Sequence, residues 1–356
     1  MPSEKIQSLQ ILRGIAATMV VASHSLFFAN VLDPVAFPLV DRANLGTAGV
    51  DIFFVLSGVV IYRSAFAGRR QSAGMFLVRR LLRVAPLYYL LALLGIALAT
   101  VGGPALSPEN IMTAFTFWPV WHGEAWLPVE TAGWTLCFEM LFYVGAACVL
   151  AWRPAIYGLL VAYPVAWLFG YFVTDTAALR FLGNPIIVEF LFGVAIAATS
   201  PNKPRPLWVG ASLVGLGVVA MYLSCLPEGD DAPILVLTGS ESVVRLLSWG
   251  VPAALIVKGA LLLEPHLRGA WQRPLIFLGD ASYSIYLVNV AALYAAFMEA
   301  RVLNAASLPL GLIAPTFLAV GVAAGIAVYR FVERPISSAL RAQLSAALPA
   351  LQGSTE

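Results

Sequence analysis

Ten stretches of this chain are apolar for about as long as a helix needs to cross a bilayer, roughly 20 residues. They run near 9–30, 46–63, 85–101, 134–151, 155–173, 184–200, 206–224, 243–263, 275–298 and 308–331. In hydrocarbon every backbone N–H and C=O must find its partner within the chain, so spans of this kind are helices. The expected fold is an all-α polytopic membrane protein with about ten transmembrane helices. Composition agrees, since 60% of the 356 residues are hydrophobic and 11% are charged, against roughly 25% charged in a soluble domain. A net charge of +2 offers nucleic acid no basic surface, and the lipid bilayer is the partner that remains. Only residues 152–154, with Arg153 and Pro154 among them, separate the fourth and fifth spans, which predicts a tight helical hairpin. The first span contains Arg13 and His24 and no small-residue cleavage site, so it reads as a retained helix and not as a cleaved signal.

Lys and Arg in short loops set the orientation of such a bundle. The loop after the second span carries Arg63, Arg69, Arg70, Arg79, Arg80 and Arg83, which makes it cytoplasmic and puts both termini in the cytoplasm. Arg153, Lys203, Arg205, Arg268, Arg273, Arg334 and Arg341 then fall inside, while Arg42, Arg180, Arg245 and Arg301 fall outside or at the outer edge. The outer loops 102–133 and 225–242 contain no Lys or Arg. Residues 1–340 read as one membrane domain and 341–356 as a short cytoplasmic tail, with no soluble domain appended. Loop 102–133 holds FTFWPVWHGEAW (115–126), which suits either an aromatic belt at the headgroups or a lip on which sugars stack.

The cysteines point to no redox or metal chemistry. Cys137 and Cys148 lie on one predicted helix, about 16 Å apart along its axis, too far to bridge, and Cys225 is alone. His24, His122 and His266 are dispersed and show no ligand spacing.

Polar groups within spans are costly and therefore candidates for function. Arg13 and His24 are eleven residues apart, close to three turns, so they share one helix face about 16 Å apart along it. Taken singly, His24 reads as a packed, hydrogen-bonded histidine and Arg13 as a residue snorkelling to headgroups; their shared face favours function. Glu139, in WTLCFEMLFY (134–143), lies five residues in from the outer end of its span, at a depth comparable with His24. A Glu–His pair there would orient the imidazole and raise its basicity, the logic of a general base in acyl transfer. Asp51, in GVDIFFVLSG (49–58), reads more simply as an interfacial helix cap. Arg79, Arg80 and Arg83 precede Pro86 at the cytoplasmic surface, where they serve either as a topology anchor or as a phosphate site, since Arg binds phosphate bidentately.

Six stretches, LQILRGIAATMVVASHS (9–25), GTAGVDIFFVLSGVVIY (46–62), RRLLRVAPLYYL (79–90), WTLCFEMLFY (134–143), SYSIYLVN (282–289) and FVERP (331–335), resemble in order the acyltransferase-3 family of membrane acyltransferases, especially the bacterial exopolysaccharide O-acetyltransferases. The resemblance covers nearly the whole chain. It implies a metal-free enzyme of the bacterial inner membrane with no bound cofactor. Such an enzyme takes an acyl group, by resemblance acetyl, from cytoplasmic acyl-CoA and esterifies an extracytoplasmic carbohydrate. On that reading His24 is the catalytic histidine, Arg13 its motif partner and Glu139 the motif's acidic residue. Arg80 and Arg83 fall on the element associated with the acyl donor, and Arg79 of the same basic cluster is taken with them as a site for the donor's phosphates. Asp51, Ser57, Trp134, Tyr143, Ser282, Tyr283, Asn289, Glu333 and Arg334 lie within the matching stretches as supporting residues. Asn289 departs from the family, whose members often carry histidine there; an amide does not titrate near neutrality, so a proton relay through that position is in doubt. Two other functions stay open: a flippase or transporter for a lipid-linked saccharide, and a non-enzymatic partner of polysaccharide assembly machinery. In the second, the polar residues are glue between helices.

Overall fold

Small residues decide how closely the apolar helices of this chain approach one another. The computed structural model describes residues 6–32, 40–67, 71–103, 105–200, 205–224, 232–240, 242–267, 269–302 and 310–353. Arg69, Arg70, Lys203, Cys225, Arg268 and the loop 225–231 lie outside the described residues. The helices are α1 (Gln7–Leu32), α2 (Gly49–Ala65), α3 (Ala73–Thr100), α4 (Pro108–Thr116), α5 (Trp134–Ala151) and α6 (Ala155–Phe172). They continue as α7 (Ala177–Leu182), α8 (Ile187–Ala198), α9 (Leu207–Leu223), α10 (Ala232–Thr238), α11 (Ser242–Arg245) and α12 (Val251–Leu263). The last three are α13 (Gln272–Val302), α14 (Leu310–Val328) and α15 (Arg334–Gly353). One two-stranded ribbon, β1 (Val120–Trp121) with β2 (Glu124–Ala125), pairs Val120 with Ala125.

Among the described residues nine helices are long and apolar enough to cross a membrane. The remaining expected span, 206–224, becomes α9, which at 17 residues is about 25 Å long, slightly under a bilayer's hydrocarbon thickness. Two boundaries differ from the expectation. The third span begins at Ala73, capped by Ser72, whose side chain accepts from the Met75 N–H, and it runs through Pro86 without ending. Arg79, Arg80 and Arg83 are therefore residues of that helix and not of a loop before it. The last span also continues as helix from α14 to Gly353, passing through a π-helical turn at Tyr329–Glu333.

α1 lies against α13 because Gly14 and Gly279 bring the two backbones together. A Cβ on Gly14 would meet Gly279 N and Leu278, and one on Gly279 would run into the Gln10 carbonyl. Gly58 and Gly193 do the same between α2 and α8. Glu264 binds the exposed start of α1, accepting from the N–H groups of Gln7 at 2.8 Å and Ser8 at 2.6 Å, two of the four donors that a helix start leaves without partners. Among the described residues the apolar core falls into several clusters, one of which holds Phe54, Phe138, Phe181 and Phe190.

Candidate active site

One stripe of α2 sets the site. Between Gly49 and Ile61 the other positions of α2 are buried, while Phe53, Ser57 and Val60 keep partial exposure about one turn apart, and all three face a cavity of about 80 Å³ lined by α1, α2, α3, α5 and α13. Arg13, Arg80 and Arg83 gather at one end, beside Ile61 and Tyr143. The other end, beside the starts of α2 and α5, is closed by Val50, Phe53, Phe54, Leu136 and Tyr286. From Val50 to Ile61 the cavity follows α2 for about 16 Å.

The basic end is held by short-range partners. Arg80 donates to the Ser64 hydroxyl and lies over the rings of Phe76, at 5.5 Å, and Tyr143, at 5.8 Å. Such ring contacts suit a guanidinium that is partly desolvated. Arg83 stands exposed at the mouth. Arg79, from the same cluster, points away: it is exposed and its Nη1 donates to Gln71 Oε1 at 3.3 Å. Arg13 donates from Nε to Ser282 Oγ at 3.2 Å. Tyr283 donates to the Val84 carbonyl at 2.7 Å, and Ser284 to Glu333 in the π-helical turn. Arg334, the next residue, is exposed.

Glu139 and His24 do not meet, which corrects the expected pair. Glu139 accepts from the hydroxyls of Tyr143 and, at 3.4 Å, Ser57. The cause is the start of α5. Its first residue, Trp134, packs edge-on against Phe54 at 6.2 Å, five residues into α2, so Glu139 lies deeper than a count from the membrane edge places it. His24 faces α13 instead. Its Nδ1 lies 2.6 Å from Asn289 Oδ1, while Asn289 Nδ2 donates to the Tyr286 carbonyl at 2.5 Å. That second bond fixes which way the amide points. An amide oxygen only accepts, so Nδ1 carries the hydrogen and Nε2 keeps its lone pair. One face of α1 thus meets two rungs of α13, Arg13 with Ser282 and His24 with Asn289.

Asp51 is not an interfacial cap. It has no exposure and accepts both ends of the Arg245 guanidinium, Nε at 3.0 Å and Nη2 at 2.9 Å. Arg245 also donates to the Thr47 carbonyl and stacks 4.8 Å over Trp249 and 5.9 Å from Trp134. Glu189, fully buried in the first turn of α8, lies within electrostatic range of both partners. Sequence reasoning left Arg245 at the outer edge and passed over Glu189, although a carboxylate in IVEFLFGVAIAA was a legible signal. It also missed Thr135 and Tyr286, which line the cavity.

The aromatic loop folds inward. Tyr89 stacks on Phe117 at 5.7 Å, Trp118 meets Phe181 edge-on, and Trp121 Nε1 donates to Thr113. These rings cover the bundle's end by packing on one another.

The family model described as an acyltransferase domain matches residues 6–330. Exopolysaccharide production protein ExoZ of Rhizobium meliloti (strain 1021) is 33% identical over 318 residues, covering 82% of this chain and 90% of that one. Acyltransferase MdmB of Streptomyces mycarofaciens is 27% identical over 384 residues, covering 93% and 91%. Nodulation protein 10 of Rhizobium leguminosarum bv. viciae is 29% identical over 168 residues, 41% of this chain and 45% of its own. No solved structure matches the chain.

Proposed function

Because the chain belongs to the acyltransferase-3 family, we propose that it is an O-acetyltransferase of the bacterial inner membrane. It takes its acyl group from cytoplasmic acyl-CoA and passes it to a hydroxyl of an extracytoplasmic carbohydrate. The likeness to an exopolysaccharide production protein makes an exopolysaccharide, or its lipid-linked repeat unit, the acceptor class, in contact with polysaccharide assembly machinery.

The observation that carries this reading is the gradient along the cavity. Guanidinium groups stand at one end, with Arg80 held on rings and on Ser64. At the other, one turn of α13 past Tyr286, Asn289 holds His24 through Nδ1, and among the described residues none hydrogen-bonds Nε2. With the basic end cytoplasmic, a reading that the Lys and Arg distribution supports, the phosphates of the donor bind Arg80 and Arg83 and the thin pantetheine arm follows α2. His24 Nε2 takes the proton of the sugar hydroxyl as its oxygen attacks the thioester carbonyl. The carbon–sulfur bond breaks, and the proton passes from the imidazolium to the departing thiolate, leaving ester and free CoA thiol. Asn289 keeps the productive tautomer by accepting from Nδ1. Glu139 supplies counter-charge beside Arg13 and anchors Tyr143 and Ser57.

The test is transfer of label from acetyl-CoA to cell-envelope saccharide, comparing wild type with His24→Ala at equal membrane abundance. Loss of transfer in a folded variant supports the assignment. Undiminished transfer removes it and leaves the flippase or the non-enzymatic partner. A covalent acyl-His24 would replace the direct attack by a two-step relay.

A further inference from the structure

Taking the cavity as the donor site, as above, we propose that Tyr286, together with Phe53, determines the length of the acyl chain that is transferred. The far end of the cavity is made of rings and aliphatic groups, and Tyr286 is its last wall before His24. Its ring lies 6.0 Å from that of Phe53. Its hydroxyl is held within reach of Thr135 Oγ1 at 3.2 Å and the Ala132 carbonyl at 3.2 Å, which pins it to the segment that opens α5. One turn further along α13, Asn289 donates to the Tyr286 carbonyl and meets His24.

Among the described residues the cavity wall includes Tyr286 and not His24. A thioester whose carbonyl reaches the edge of this ring, on the side where Asn289 meets His24, has its acyl carbons packed against Tyr286 and Phe53. Tyr286 is 9% exposed and tied to α5, so it has little freedom to yield. Forcing further methylenes into a packed apolar end displaces side chains and backbone, whereas a methyl group asks for no such movement. Arg13, Arg80 and Arg83 grip the donor at the opposite end and are indifferent to acyl length.

Membrane vesicles supplied with acyl-labelled acetyl-, butyryl- or hexanoyl-CoA, with label counted in envelope saccharide, read the selectivity directly. Wild type is expected to favour acetyl over hexanoyl. Tyr286→Ala should raise the hexanoyl-to-acetyl ratio of kcat/KM by about tenfold or more, the scale set by methylenes in an apolar pocket. Tyr286→Phe keeps the ring and should keep the wild-type ratio. Phe53→Ala opens the same end from α2 and decides the matter where Tyr286→Ala fails to accumulate. A ratio unmoved in Tyr286→Ala or, failing that variant, in Phe53→Ala, with acetyl transfer intact, overturns the assignment. So does a wild type that takes hexanoyl-CoA as readily as acetyl-CoA. Wild type inert towards all three donors, in vesicles that contain acceptor, overturns the acyl-CoA reading itself and this inference with it.

Discussion

Arg245 grips Asp51 through both sides of its guanidinium, at 3.0 and 2.9 Å, with neither side chain more than 4% exposed. The pair ties α11 to the first turn of α2, whose next residues form the cavity's apolar end. Removing one partner of a buried pair strands the other charge and costs about 3–5 kcal/mol. Arg245→Met should accordingly lower the thermal midpoint of the detergent-purified protein steeply, and Asp51→Asn likewise. The double variant should lose less than the two single losses added together. Strict additivity would show that the pair is not an energetic unit. Glu189→Gln removes a second carboxylate that one guanidinium does not neutralise, and it should be the mildest change of the set.

On the mechanism proposed above, Asn289 acts through His24. By accepting from Nδ1 it selects the tautomer whose Nε2 is a base, so Asn289→Ala should cut kcat while leaving KM for the donor near wild type. A general base contributes about 10²–10⁴-fold, and loss of its orienting partner should fall at or below the lower end of that range. His24→Ala should cost more, and combining the two should add little to His24→Ala alone. Independent, multiplying losses would place Asn289 in some other role.

The parts legible in the sequence were those with a local cause. Apolar length gave the spans, and the eleven-residue spacing put Arg13 and His24 on one face. The chain alone could not say which helix that face meets. Gly14 and Gly279 decide it by admitting α13, so His24 finds Asn289 and not Glu139. Depth was misjudged for Glu139 because loop 102–133 folds into the bundle and starts α5 level with Phe54. Asp51 resembled a cap because its partner is 194 residues away, a pairing that no local pattern contains.

The arginine cluster divides by what each side chain meets. Arg80 and Arg83 line the cavity while Arg79 points to Gln71 on the outside. Hydrogen bonds to charged groups are worth about 1.5–3 kcal/mol. Arg80→Ala and Arg83→Ala should each raise KM for acetyl-CoA by roughly ten- to a hundredfold on that scale. Arg79→Ala should leave KM close to wild type. Titrating initial rates with acetyl-CoA separates the three, and an equal rise for Arg79→Ala would mean that the donor binds the outer surface and not the cavity.

Glu130, in the segment ahead of α5 and outside the spans, gives the protein a pH-dependent stability. Burial pushes its carboxyl up from 4.5 to about 7, against the Ala132 N–H, which favours the ionised form. A carboxyl with a higher pKa folded than unfolded binds more protons in the folded state, so stability falls as pH rises. The contribution is complete below about 4.5 and is lost as pH climbs through about 7. Glu130→Gln is permanently neutral. It should match wild type in thermal midpoint near the acid end of that window and exceed it above neutrality. Melting curves of both proteins in detergent across the window measure the difference, and a constant gap between them would show that Glu130 does not titrate there.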